Sequence, residues 1–144
     1  MSSEANVQLL KEAYRQWHDS KGQNVDYWFD NVIGPQITFD SIPQGAAAMP
    51  FAKRYDDRSA LRGYFDGLLA DWSMQYCTMN EFVAQGDTVV ALGHYRATAK
   101  ATGKQFDSPF AMVFTIRDGK IAEFREFTDS AAVNAAFQPV GASV

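Results

Sequence analysis

Large apolar residues recur at Val7, Leu10, Tyr14 and Trp17, and these spacings of three and four draw one stripe along a helix over residues 6–17. Ser2 or Ser3 is placed to cap it, and Lys21-Gly22-Gln23 ends it with glycine where a helix terminus favours one. Asn24 is placed to cap a shorter helix carrying Val25, Trp28, Phe29 and Val32, which Gly34-Pro35 stops. Ile37-Thr38-Phe39-Asp40 then alternates as a short strand. Residues 41–55, with two prolines and a small apolar run from Gly45 to Met49, read as a long loop of the kind that is functional or mobile.

A third helix follows Asp56-Asp57, with Leu61, Tyr64, Phe65, Leu68, Leu69 and Trp72 at helical spacing. Beyond Trp72 the period falls to two. Three turn signals, Gln85-Gly86-Asp87, Thr102-Gly103-Lys104 and Asp118-Gly119, divide the rest into four antiparallel strands over 74–84, 88–101, 105–116 and 120–128. Asp129 or Ser130 caps a last helix over 131–137, and a frayed tail follows. With no repeat or composition shift, the reading is one domain over residues 1–144, ordered over about 4–138.

Helices first and a strand meander afterwards is the order of an α+β protein. A long twisted antiparallel sheet buries one face by curling around the N-terminal helices, which predicts a cone-shaped, half-open roll with a central pocket. Alternation turns Gly93, Tyr95, Ala97 and Ala99 inward and His94, Arg96, Thr98 and Lys100 outward. In the next strand Phe106, Ser108, Phe110, Met112, Phe114 and Ile116 point in. In the last strand the apolar count does not choose between Ala122, Phe124, Glu126, Thr128 and the opposite set.

Composition narrows the partners. The chain has 13 Lys+Arg against 17 Asp+Glu, a net charge of −4, and no basic cluster, which opposes nucleic-acid binding. No stretch approaches the ~20 apolar residues of a membrane span, and the polar, acidic N-terminus is unlike a secretory signal, so a cytoplasmic protein with no membrane partner is expected. Cys77, the single cysteine, has no internal disulfide partner and reads as a buried structural thiol. Two histidines, His18 and His94, make no metal-ligand cluster, and no phosphate loop or nucleophile elbow is present, so no metal or cofactor is expected. Phe, Tyr and Trp reach 14%, more than a minimal core needs, which suggests an aromatic-lined cavity.

The run over residues 103–129, from Gly-Lys-Gln-Phe-Asp-Ser-Pro-Phe to Glu-Phe-Arg-Glu-Phe-Thr-Asp, resembles the C-terminal hairpin of ketosteroid-isomerase-like and SnoaL-like proteins of the nuclear transport factor 2-like superfamily. Pro50-Phe51-Ala52, Asp57-Arg58-Ser59-Ala60-Leu61-Arg62 with Phe65, and Gly86-Asp87-Thr88-Val89-Val90 are similar to the same group, so the likeness spans nearly the whole chain. The resemblance implies the cone fold. It also implies an oxyanion-donating tyrosine at Tyr14, a general base at Asp40 and an inward Glu126. The third ketosteroid-isomerase position falls on Met112, which has no proton to donate there.

The function these residues suggest is cofactor-independent proton transfer, of isomerase, cyclase or dehydratase type, on a small apolar carbonyl-bearing ligand. Asp40 would be the base, Tyr14 the oxyanion donor and Glu126 an assisting acid, with Trp28, Tyr64, Tyr95, Phe110, Met112 and Phe124 as the apolar wall. Each has a plainer reading: Asp40 as a turn residue, Tyr14 as a core aromatic, Glu126 in a register shifted to solvent. The alternative to an enzyme is a dimeric module that binds a hydrophobic molecule or a protein in the same cone. A homodimer is expected through the outer sheet face, on Val89 and Val113, with His94 and Arg96 as surface or interface groups and His18 solvated.

Overall fold

The computed structural model describes residues 2–41 and 49–138. Within them the elements run α1 (Ser3–Asp19), α2 (Val25–Asn31), β1 (Ile33–Ser41), β2 (Arg54–Tyr55), α3 (Arg58–Asp71), β3 (Trp72–Gln85), β4 (Thr88–Ala99), β5 (Gln105–Arg117), β6 (Lys120–Thr128) and α4 (Ser130–Phe137). Local chemistry sets most boundaries. Ser2, Asp57 and Asp129 each accept a hydrogen bond from a backbone N–H three residues on, at Ala5, Ala60 and Ala132, supplying acceptors that helix starts lack. Gly22 closes α1 at φ +78°, its N–H returned to Trp17 O at 2.9 Å. Asn24 caps nothing through its side chain, which instead reaches Gln16.

The sheet is six-stranded, curved and unclosed, in the order β2-β1-β6-β5-β4-β3. It is mixed, where the sequence suggests an antiparallel sheet: β1 lies parallel to β6, and the short β2, inside the expected loop, pairs antiparallel with β1. A parallel neighbour needs a long crossover, supplied here by everything between the first strand and the last, and no local pattern records it. Two boundaries also differ from expectation. β1 begins at Ile33 and runs through Gly34-Pro35 with a register shift before Thr38, an irregularity where a proline is tolerated. Trp72 opens β3 instead of closing α3, its extended φ of −129° and ψ of 138° ending the helix.

The core fills the concave side of the sheet, against α1, α2 and α3. Arg58 ties these layers together, donating to Phe29 O at 2.7 Å and Ile33 O at 2.6 Å, carbonyls left open where α2 gives way to β1. The faces of β4 and β5 follow the alternation as expected, with unbroken pairing from Thr88↔Thr115 to Thr98↔Gln105. Val89, however, is wholly buried on the inner face, so it cannot belong to the outer one. In β6 a register shift at Ala122 lets Ile121 and Phe124 both point inward, after which alternation brings in Glu126. Gly93 is required by crowding: a Cβ there would lie 2.1 Å from Thr78 O and 2.8 Å from the Phe110 ring.

Candidate functional site

An apolar cavity of about 70 Å3 occupies the concave side of the sheet. Eight of the nine residues picked from the sequence line it: Tyr14, Trp28, Tyr64, Tyr95, Phe110, Met112, Phe124 and Glu126. Trp17, Phe65, Leu68, Met49, Met74 and Cys77 complete the wall. Trp17 and Phe65 continue helix stripes already visible in the sequence, so periodicity was the signal for them.

Asp40 does not line the cavity. On β1 it sits on the face opposite Ile37, Phe39 and Ser41, at register with Arg54 and Arg125. The place expected for a base is therefore shifted by one residue, and an inward side chain at the end of β1 belongs to Ser41. The alternation of Ile37 and Phe39 already carried this signal, since residues 37, 39 and 41 share a face.

Glu126 is the one carboxylate among the described lining residues and is 7% exposed. Ser41 Oγ donates to its Oε1 at 2.6 Å, and the Tyr64 hydroxyl lies 2.8 Å from Oε1 and 2.7 Å from Oε2. Burial pushes the Glu126 carboxyl above its ordinary value of 4.5, and the two hydroxyls only partly oppose that. Burial, then the adjoining Glu126, raises Tyr64 well above a normal phenol. Among the described residues no lining side chain is cationic, so none of them compensates a charge on Glu126 as a salt bridge would.

The tyrosines divide by what their hydroxyls already do. Tyr64 is committed to Glu126. Tyr95 lies 2.7 Å from Thr128 Oγ1, which lies 3.0 Å from Ser108 Oγ. Since Ser108 donates to Pro109 O, Thr128 donates to Ser108 and Tyr95 to Thr128, and that hydroxyl is spent on the β6–α4 junction. Tyr14, 6% exposed, has no hydrogen-bond partner among the described residues and is held by rings instead: edge-on to Trp28 at 5.0 Å and stacked on Phe110 at 6.4 Å. Burial foremost keeps its phenol protonated, so among the described residues it is a donor without an acceptor. Met112, opposite Glu126 across β5 and β6, lines the same cavity and offers only a thioether.

The remaining candidates lie elsewhere. His94 and Arg96 are on the outer face, with Tyr76 and Asp107. His18 is half-buried where a solvated residue was expected: its Nδ1 accepts from Cys77 N at 3.1 Å and pins α1 to β3. Cys77 is free and buried, and desolvation lifts its thiol to about 12, which leaves it unreactive. Among the described residues no group of three or more His, Cys, Asp or Glu is placed to hold a metal ion, and no helix is long and apolar enough to cross a membrane. Of the segment 41–55, suggested as a cover for the mouth, residues 42–48 lie outside the described residues.

Comparison with known proteins places this arrangement. Residues 12–124 match the family model of the SnoaL-like domain. An NTF2-like protein from Burkholderia thailandensis is 27% identical, with 96% of this chain and 100% of that chain covered and a TM-score of 0.73. One from Burkholderia xenovorans is 26% identical, with coverage of 96% and 99% and the same TM-score. IdmH, a polyketide cyclase candidate from Streptomyces antibioticus, shares the fold at 19% identity, with coverage of 92% and 97% and a TM-score of 0.71. Among curated proteins none matches the chain.

Proposed function

The chain belongs to the SnoaL-like domain family, and from that premise we propose that it is a cofactor-independent proton-transfer enzyme, of isomerase or cyclase type, with Glu126 as its acid–base group. One observation carries this reading. A buried carboxylate, oriented by two hydroxyls, faces an apolar cavity in which a tyrosine donor has no partner among the described residues. The reading replaces Asp40 with Glu126 as the base.

The chemistry follows from the geometry. A small carbonyl-bearing ligand directs its oxygen to the Tyr14 hydroxyl and an adjacent C–H to Glu126. The carboxylate takes that proton, the C–H electron pair moves into the carbonyl, and Tyr14 holds the resulting oxyanion. Glu126 then returns the proton at another carbon, which isomerises the ligand, or the enolate carbon attacks a second carbonyl of the same molecule and the alkoxide so formed takes the proton back from Glu126, which cyclises it. Burial serves both halves, since a raised carboxyl is a stronger base when ionised and holds the proton it has taken. Ser41 and Tyr64 position the carboxylate and contribute no proton of their own to the ligand.

The test is deuterium exchange at the α-carbon of cyclohex-2-enone and acetophenone in D2O, followed by proton NMR. Wild-type protein is expected to accelerate exchange, and Glu126→Gln to remove the acceleration while the probes still bind. Binding of both probes without acceleration would leave the cone as a ligand-binding module and sink the enzyme reading.

We further propose that two copies pair through the outer sheet face. Its apolar rows are in register across strands, Val83 beside Val90 beside Val113, and Leu92 beside Ala111 beside Phe127. Val83 is 54% exposed and Phe127 38%, the two exposed large apolar side chains among the described residues. Light scattering is expected to give twice the chain mass, and Val90→Lys to give a folded monomer; a monomeric wild-type protein at micromolar concentration overturns the pairing.

A further inference from the structure

Two indole nitrogens have no role in the chemistry above. Trp28 Nε1 and Trp72 Nε1 are both buried without a hydrogen-bond partner among the described residues, in side chains 3% and 2% exposed. Native interiors pair nearly all such donors, because a dry one forfeits the hydrogen bond that water gave it in the unfolded chain. Trp28 lines the cavity that holds Glu126. Trp72 lines a separate void of about 10 Å3, with Ala97, Phe106 and Val133. The same four side chains, Met49, Leu68, Met74 and Tyr95, border both spaces and so form the partition between them.

That partition is the wall with room behind it. A cavity of about 70 Å3 is smaller than the roughly 150 Å3 that admits benzene, so a ring-bearing ligand must displace some part of the lining. Tyr95 is anchored through Thr128, but methionine turns about three bonds and refills irregular gaps at low cost. Met49 and Met74 are therefore the side chains that yield, and what they yield toward is Trp72.

The geometry points to a slot that lengthens when Met49 and Met74 swing aside, taking an elongated neutral molecule with a hydrogen-bond acceptor at each end, one read by Trp28 Nε1 and the other by Trp72 Nε1. The ends are ketone, ester or ether oxygens, because among the described residues no cation lines either space and a carboxylate or phosphate would be buried unpaired. This names the ligand class of the proposed site and rests on that reading for the cavity alone, not for its chemistry.

Acetophenone and 1,4-diacetylbenzene are matched probes, the second adding one acceptor at the far end of the ring. The readout is the set of three indole N–H signals of nitrogen-15-labelled protein, assigned with Trp→Phe variants. Acetophenone is expected to move the Trp28 signal and leave that of Trp72 in place. 1,4-Diacetylbenzene is expected to move both and to bind about five- to tenfold tighter, one hydrogen bond's worth. Trp72→Phe should abolish the preference and leave acetophenone affinity unchanged. A Trp72 signal unmoved by either probe overturns the proposal, as does a preference that survives Trp72→Phe. Should that variant fail to fold, the wild-type signals decide. Because these readouts need no turnover, binding at both indoles without α-proton exchange supports this inference while overturning the enzymatic one.

Discussion

The same sheet carries a carboxylate bonded to a tyrosine on each face, Glu126 to Tyr64 of α3 inside and Asp107 to Tyr76 of β3 outside, and the two behave oppositely. On the inner face Tyr64 donates to Glu126, with Ser41 as second donor, and burial raises the carboxyl. On the outer face Tyr76 donates to Asp107 at 2.7 Å, with Arg96 at 3.0 and 3.1 Å as second donor, and the Arg96 contact first and Tyr76 next lower the carboxyl. The pairs use similar hydrogen bonds at similar distances. What separates them is a neighbouring guanidinium and access to water, which favour the charged form of Asp107, whereas burial disfavours that of Glu126. A carboxylate beside a tyrosine is thus not a catalytic signature by itself; a dry wall without cations is what would make it one.

Mutations can break the contrast in descending order of effect. Glu126→Gln should lower kcat/KM for α-proton exchange by about 10²–10⁴-fold, the usual worth of a positioned acid–base group, as followed by NMR exchange rates. Tyr14→Phe should lower kcat by about 10²-fold with little change in KM, since the lost donor acts on charge that develops only in the transition state; an equal loss for substrate binding would place Tyr14 outside the chemistry. Tyr64→Phe should cost less, about tenfold, and move the pH inflection of kcat/KM upward, because it removes a hydrogen bond that favours the ionised carboxylate. Asp107→Asn on the outer face should leave exchange rates unchanged and its melting curve close to wild type, as exposed ion pairs contribute little.

Stability offers an independent reading of the inner pair. Since the folded pKa of Glu126 lies above its ordinary 4.5, the native state holds that proton more tightly than the unfolded chain does. The associated stability is fully present below about pH 4.5 and is lost as pH rises through the folded pKa. Glu126→Gln should therefore gain melting temperature relative to wild type as pH rises above that value, and a constant difference across the range would contradict the assignment. Gly93→Ala tests the packing that shapes the cavity wall: with Thr78 O 2.1 Å from the new methyl, unfolding in urea should show a loss of about 3 kcal/mol.

How far the sequence reaches can be judged residue by residue. Helix stripes identified Tyr14, Trp28 and Tyr64 as inward, and strict alternation did the same for Tyr95, Phe110 and Met112, because amphipathic periods are a direct image of one buried face. Asp40 is where resemblance overruled alternation. The pattern of Ile37 and Phe39 put Asp40 on the far face, and the structure agrees with the pattern. Glu126 went the other way: its strand is balanced in apolar count, and the bulge at Ala122 that re-phases it leaves no mark in composition.

By itself, then, the sequence determined the helices, the caps of α1, α3 and α4, the three hairpin turns and the faces of β4 and β5, since each depends on neighbours within a few residues. Only the tertiary structure decided that β1 lies parallel to β6, that Ser41 and Tyr64 reach Glu126 from 85 and 62 residues away, and that Met49 and Met74 border both the cavity lined by Trp28 and the void lined by Trp72. Those are contacts across the curled sheet, and no local period encodes which distant side chains a curved surface brings together.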